Sequence, residues 1–204
     1  MNNASADCAW FKHCLSDTQL CKTLASISLV MCDVDGALTD GGIYVAPQGE
    51  GGRIFSVQDG YIVKPAMRAG ITIACISGKN NRSALERCKT LGIPENLCFV
   101  GLESKLETVQ LLQKKLNISS AQSMMYGDDF LDAEVKREGH SALYACPSNT
   151  PFYFQSGADL VIPRNGGNGA FRLLMDLVLF VRDQHFAQLA IQKCLEADTA
   201  LKNI

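Results

Sequence analysis

Two aspartates one residue apart, Asp33 and Asp35, close an apolar run, Leu29-Val30-Met31-Cys32, and Gly36 follows them. Such a run reads as a buried strand of a parallel sheet. In open α/β sheets, chemistry gathers beyond the carboxyl ends of the strands, where both carboxylates would stand. Side chains alternate along a strand, so an extended Asp-x-Asp pair shares one face. A turn beginning at Asp35, which Gly36 permits, lets the second carboxylate lean over the first. Two carboxylates held together suit a hard cation such as Mg²⁺. They also suit a division of labour between a nucleophile and a general acid/base. The same octapeptide can spell a strand followed by an Asx-type turn, and taken alone it leaves both readings open.

The elements that follow bring more polar groups to the same edge. Residues 71–76 read as a second buried strand with Ser77-Gly78 at its tip, and 97–101 as a third. Residues 124–127 form a fourth, with Asp128-Asp129 at its tip and Asp132 one helical turn later. Lys105 stands at the start of an amphipathic helix over 104–116, whose Leu106, Val109, Leu112 and Leu116 share a face. Helices are predicted over 61–69, with Gly70 as the stop, over 81–90 and over 131–138. Residues 142–146 and 160–162 complete the strands, and Pro151 is expected at the first position of a short helix. Gly169 opens a long helix through Phe180, with an extension toward Leu201 as the longer alternative. Strands alternating with helices imply right-handed βαβ units, hence an α/β fold with a doubly wound parallel sheet. Each polar residue has a plain structural reading: a turn for Ser77, a solvated helix lysine for Lys105, dipole-favoured helix acids for Asp128 and Asp132. Their joint appearance at four strand ends outweighs those readings.

The 204 residues suffice for one good core with extensions. A net charge of −2 with mixed signs shows no basic stripe for nucleic acid, and no apolar run is long enough to insert in a membrane. The nine cysteines are scattered without a Cys-x-x-Cys pair. That excludes a zinc knuckle or thioredoxin-type site and fits a reducing cytoplasm. Residues 1–26 read as an N-terminal arm, with Trp10, Phe11, Cys14 and Leu15 on one helix face and Leu20 and Leu24 following. A disordered tail is the other reading of that segment. The main domain runs over 27–182, and 183–204 form a helical extension marked by Phe186, Leu189, Ile191 and Leu195. Within the domain, 43–45 and 54–57 flank a glycine-rich loop and read as a β-hairpin inserted after the first strand.

Asp33-x-Asp35-Gly36, Ser77, Lys105 and Gly127-Asp128-Asp129-x-x-Asp132 resemble, in order and placement, the four motifs of the haloacid dehalogenase-like (HAD-like) phosphatases. The resemblance implies a Rossmannoid fold in which Asp33 attacks phosphorus and Asp35 protonates the leaving alcohol, then activates water. It implies that Ser77 and Lys105 hold the phosphoryl oxygens. It also implies that Asp33, the Asp35 carbonyl and Asp128 bind Mg²⁺, with Asp129 and Asp132 in support. Only a hairpin and one helix separate Asp35 from Ser77, so the chain is expected to be capless.

Finer detail resembles the 3-deoxy-D-manno-octulosonate 8-phosphate (KDO 8-phosphate) phosphatase family. It lies in Asp33 to Gly41, Phe55 to Tyr61, Ile76-Ser77-Gly78-Lys79 and Gly166 to Arg172. The resemblance implies a cytoplasmic homotetramer with hairpins at its centre, acting on a phosphorylated sugar acid for lipopolysaccharide. Substrate contacts would come from Ser77, Gly78, Lys79, Lys105, Asn168 and Arg172. Three positions depart from the family pattern: Lys79 and Asn168 stand where arginine is usual, and Ile62 where glycine is usual. Lysine and asparagine do not reproduce bidentate recognition of a carboxylate. A nine-carbon ulosonate 9-phosphate is therefore an alternative substrate, and a non-catalytic assembly relative an alternative role.

Overall fold

The computed structural model describes residues 3–47, 49–80, 82–184, 187–188, 191–193 and 195–196. In chain order the helices and strands are α1 (Asn3–Ser16), α2 (Thr18–Ser26), β1 (Leu29–Cys32), β2 (Val45–Ala46), β3 (Gly49–Glu50), α3 (Val57–Tyr61) and α4 (Val63–Arg68). They continue with β4 (Thr72–Ile76), α5 (Arg82–Leu91), β5 (Cys98–Phe99), α6 (Lys105–Leu116), β6 (Ser123–Tyr126) and α7 (Phe130–Arg137). The last are β7 (Leu143–Pro147), α8 (Phe152–Gln155), β8 (Leu160–Ile162) and α9 (Ala170–Val181).

Six strands form one parallel sheet in the order β5-β4-β1-β6-β7-β8. Every residue of β1, β6 and β7 is buried, which is why these strands carry unbroken apolar or small residues instead of an alternating pattern. From β1 the chain winds outward through β4 to β5, then crosses back to β6 and winds the other way to β8. The direction reverses between β1 and β6, whose last residues, Cys32 and Tyr126, are in register. That switch point is where an open α/β sheet forms its crevice, and Asp33 and Asp128 lie just beyond it.

Sequence reading and structure differ in several places. Helix 61–69 is two helices broken at Ile62, because Pro65 has no N–H to give the Tyr61 carbonyl. The hairpin is shorter than 43–57. Val45 and Ala46 pair with Glu50 and Gly49, the Gly51 N–H donates to the Tyr44 carbonyl at 2.6 Å, and Phe55 bridges back to Thr39. Its expected second strand is lost because the Ser56 hydroxyl caps α3 by accepting from the Asp59 N–H. The third strand keeps only Cys98–Phe99, since Leu97 closes a 3₁₀ turn and Gly101 takes a positive φ of 75°. Pro151 precedes α8 with an extended ψ of 135° instead of opening it. Helix α9 stops at Val181, after which Asp183 turns left-handed (φ 55°), so the extension toward Leu201 does not continue it. Ile191 and Leu195 pack half-buried on the core, while Phe186, Leu189 and the residues after 196 lie outside the described residues.

Helices α1 and α2 pack on α9. Phe11 is buried and meets Phe180 edge to face at 5.9 Å, and Arg182 donates to the Ala69 carbonyl at 3.1 Å and to that of Ile27. No helix among the described residues is long and apolar enough to cross a membrane. The contact predicts that Phe11→Ala lowers the unfolding free energy by about 3 kcal/mol, measured by urea denaturation. An unchanged midpoint would show that the arm adds nothing to the fold.

Candidate active site

The Asp33 N–H donates to the Tyr126 carbonyl at 2.8 Å, so the sheet ladder carries the first aspartate one residue past β1. Its carboxylate is buried and faces Lys105, the first residue of α6, which the Ser104 side chain caps. Lys105 Nζ lies 2.7 Å from Asp33 Oδ1 and 2.6 Å from Asp132 Oδ1. Asp132 is itself sealed in the first turn of α7, and its other oxygen accepts from the N–H groups of Asp128 (3.1 Å) and Asp129 (3.2 Å). Asp129 turns away to cap α7 through the Phe130 N–H. Asp33, Asp128 and Asp132 each offer an oxygen within 4.8 Å of the others.

Electrostatics mark this cluster as over-supplied with negative charge. Burial pushes the Asp33 carboxyl up to about 7, Asp132 adds to the rise and Lys105 opposes it. Burial likewise lifts Asp128 to about 7, helped by Asp132 and Asp129. For Lys105, burial works against the ammonium, but Asp132 and Asp33 outweigh it and the net shift is upward. Asp128 Oδ1 is buried without a hydrogen-bond partner among the described residues. Desolvating a carboxylate oxygen without a partner is costly, and a hard cation is the partner that three oxygen donors fit. Mg²⁺ therefore suits the residues present.

The loop after β1 is built to hold this geometry. Thr39 is buried, donates to the Val34 carbonyl and accepts from the N–H groups of Gly36 and Gly41, each at 3.2 Å. Gly36 takes φ 89°, and a Cβ there would fall 2.1 Å from Asp128 Oδ2. Loop 166–169 presses on the same turn: a Cβ on Gly166 would meet the Gly36 carbonyl at 1.9 Å. Asp59, in α3, fixes that second loop by accepting from Gly169 N (3.1 Å) and Arg172 N (2.8 Å), so it caps α9 where Gly169 has no side chain to do so.

The remaining sequence candidates divide. Ser77 is buried at the tip of β4, its N–H donating to the Phe99 carbonyl and its carbonyl accepting from Leu102 N. Gly78 lies under the Leu102 carbonyl, and Lys79 is exposed on the rim. Asn168 donates within its own loop to the Gly166 carbonyl. Arg172 is turned along α9, with Nε 2.8–2.9 Å from both Asp176 oxygens and its guanidinium 5.8 Å from the Tyr61 ring. The Asp35 side chain leaves the Lys105 cluster and meets Arg53, whose Nε is 2.7 Å from Oδ1 and Nη2 3.4 Å from Oδ2. Arg53 matches none of the sequence motifs. Its one sequence signal is that it is the single cation in the glycine-rich stretch 46–53. Thr39 and Asp59 lie within the stretches that carry the family resemblance, but their supporting roles, like the Arg164–Asp7 ion pair (2.5 Å), are set by contacts that spacing does not report.

A doubly wound sheet with buried strand-tip aspartates around a lysine defines a HAD-type hydrolase. A chain of Legionella pneumophila described as a HAD superfamily (subfamily III A) hydrolase superposes with TM-score 0.76 at 30% identity, over 85% of this chain and 92% of that one. No family model matches the sequence. The KDO 8-phosphate phosphatase KdsC of Haemophilus influenzae is 34% identical over 161 residues, 76% of this chain and 84% of that protein. A KDO 8-phosphate phosphatase of Moraxella catarrhalis, solved with magnesium, phosphate and KDO, superposes with TM-score 0.78 at 30% identity, over 84% of this chain and 97% of that one. The chain belongs to the KDO 8-phosphate phosphatase family.

Asp59 gives a pH test of the loop support. Burial raises its carboxyl, while donors from Arg172, Gly169 and Ser56, and the Arg164 charge, oppose the rise. A carboxyl raised on folding binds its proton more tightly in the folded state. The stability it contributes is complete below the unfolded value of about 3.9 and is lost as pH rises through the folded value. Asp59→Asn keeps an acceptor and removes the titration. The wild type should therefore lose stability relative to this variant as pH rises toward neutrality, read from urea midpoints at acidic and neutral pH. Parallel curves would show that Asp59 does not titrate on folding.

Proposed function

We propose that this protein hydrolyses KDO 8-phosphate to KDO and phosphate. The observation that carries the reading is the buried Asp33–Lys105–Asp132 chain beside the unpartnered Asp128 oxygen at the sheet's switch point. Family membership narrows the substrate. The Haemophilus influenzae and Moraxella catarrhalis relatives are named for the eight-carbon acid, and nothing favours the nine-carbon alternative.

A phosphate monoester is anionic, so a carboxylate nucleophile needs its charge offset before it can approach phosphorus. Lys105 supplies one positive charge in place, already desolvated. Asp33 and Asp128, with Asp132 behind them, would hold Mg²⁺, which when bound supplies the rest of that neutralisation. Asp33 attacks phosphorus, the P–O bond to the sugar breaks, and Asp35 gives its proton to the leaving alkoxide. Asp35 then takes a proton from water as the water attacks the aspartyl-phosphate, which releases phosphate and restores Asp33. Ser77 positions the phosphoryl group. Asp129 contributes by fixing α7, which holds Asp132.

The protein works as a cytoplasmic homotetramer in this reading. Support comes from the exposed apolar side chains Tyr44, Val45, Ile54, Val57 and Tyr61, which the hairpin, the segment after it and α3 present to solvent, residues of the kind that a partner surface covers.

Asp33→Asn should lower kcat by about 10⁴-fold or more with the circular-dichroism spectrum unchanged. Residual turnover near wild type would remove Asp33 from the nucleophile's role. Chelation with EDTA should abolish phosphate release, and added Mg²⁺ should restore it. In Asp128→Asn the Mg²⁺ needed for half-maximal rate should rise at least about 10-fold; an unchanged requirement would place the metal elsewhere. Val57→Asp should shift the mass measured by light scattering from tetramer toward smaller species, and a constant mass would move the interface off this face.

A further inference from the structure

We propose that Arg164, oriented by Asp7 of the N-terminal arm, is a positioning residue for the active site: it clamps loop 164–169 against the turn that follows Asp35. The inference rests on the phosphatase reading above for its kinetic readout, while its structural readout stands alone. Neither Asp7 nor Arg164 lies in the stretches that carry the family resemblance, so family membership assigns them no role.

The loop is one that needs holding. Gly166, Gly167 and Gly169 make its backbone costly to order, and Gly167 and Gly169 sit at φ 67° and 85°. Its main chain is tied at several points. The Arg164 carbonyl accepts from Ser148 N at 2.9 Å, Gly166 N donates to Asn149 Oδ1 at 2.8 Å, and Gly169 N donates to Asp59 Oδ2 at 3.1 Å. The Arg164 side chain folds over the last residue of the same loop. A Cβ on Gly169 would fall 2.6 Å from Arg164 Nη1 and 2.9 Å from Gln58 Oε1, so the guanidinium takes the space that a side chain at 169 would need. Asp7 fixes it there. Nε lies 3.2 and 3.1 Å from the two Asp7 oxygens, and Nη2 lies 2.5 Å from Oδ2. Asp7 thus grips one edge of the guanidinium and leaves Nη1 over Gly169. Side-chain exposures of 28% for Arg164 and 13% for Asp7 mean that solvent screens this pair less than an open surface pair. Asp59 and Asp176 also attract the guanidinium, and without Asp7 it is free to turn toward them.

The other side of the loop bears on the catalytic turn. Gly167 N donates to the Ala37 carbonyl at 3.1 Å. A Cβ on Gly166 would meet the Thr39 carbonyl at 2.9 Å, besides that of Gly36. The two backbones touch with no side chain between them, so a displacement of the loop passes to the turn. That turn sets two groups the reaction needs in place. Asp35 immediately precedes Gly36, and Gly36 packs on the Asp128 carboxylate. An arm residue 157 positions away from Arg164 therefore bears on the acid/base and on a metal-binding carboxylate without touching either. Misplacing reacting groups by about 1 Å costs on the order of 10²-fold in rate, so partial loosening is read in kcat.

The test compares wild type with Asp7→Asn, Asp7→Glu, Arg164→Met and the double variant Asp7→Asn with Arg164→Met, each at a temperature where circular dichroism shows it folded. Asp7→Asn and Arg164→Met should each lower kcat on KDO 8-phosphate by about 10-fold. The double variant should lose no more than Arg164→Met alone, because Asp7 acts through Arg164. Asp7→Glu keeps the carboxylate and should retain most of the rate. The Mg²⁺ needed for half-maximal rate should rise in the slow variants, by less than in Asp128→Asn. A merely structural pair would thin the folded population and leave that requirement where it is. Amide hydrogen exchange over residues 34–41 should quicken in Asp7→Asn without substrate present. Unchanged exchange there, with faster exchange confined to α1 and 164–169, would overturn the proposal. So would a wild-type kcat and Mg²⁺ requirement in Asp7→Asn, or additive losses in the double variant. If Arg164→Met does not fold, Asp7→Asn against Asp7→Glu decides on the same terms. If wild type releases no phosphate from KDO 8-phosphate, the phosphatase reading falls, and exchange over 34–41 alone decides the clamp.

Discussion

Lys105 buried between Asp33 and Asp132 is the contact on which the rest of the site depends. An ammonium that is 3% exposed survives only because two carboxylates meet it at 2.6–2.7 Å. One carboxylate belongs to the loop after β1 and the other to α7, so one ion ties the two sides of the sheet's switch point together. Removing any member strands the others in a medium where unpaired charge is costly. The chain thus builds catalytic geometry and local stability from the same atoms.

Charge counting shows what that arrangement lacks. Three carboxylates, Asp33, Asp128 and Asp132, against one ammonium leave two negative charges in a buried space. The upward displacement of both Asp33 and Asp128 to about 7 says the same thing in protons. Without a divalent cation, the site meets its excess charge by binding hydrogen ions. A divalent cation offsets that charge while leaving the carboxylates ionised, as a nucleophile requires. The unpartnered Asp128 oxygen is the point at which this imbalance becomes a local feature of the structure.

The groups that touch this cluster were legible in the sequence because their positions are set by strands. Asp33 and Asp128 follow apolar runs that can only be buried sheet, and Lys105 and Asp132 follow them at helix starts whose caps, Ser104 and Asp129, are local signals. The groups that support it were not. Thr39, Asp59 and Arg53 act across turns and between distant segments, as in the 110-residue separation between Asp59 and Gly169. No periodicity reports such contacts. The hairpin is shorter than its sequence implies for a related reason: Val57 is β-prone, but the Ser56 cap commits it to a helix. Propensity there lost to a single side-chain hydrogen bond.

The two kinds of support bear differently on function. The contacts around Asp33, Lys105 and Asp132 are short, buried and shared among fixed elements, which suits atoms that must not move relative to phosphorus. In the Asp35–Arg53 contact the Asp35 side chain is 19% exposed, and Arg53 follows the short strand β3 on a segment outside the main sheet, where motion costs less. A phosphatase of this design needs one carboxylate held still as nucleophile and another free to gain and lose a proton. The chain places the first on the ladder of its central strand and the second two residues later, just before the backbone turns at Gly36. The division of labour between two aspartates therefore follows from where the strand ends.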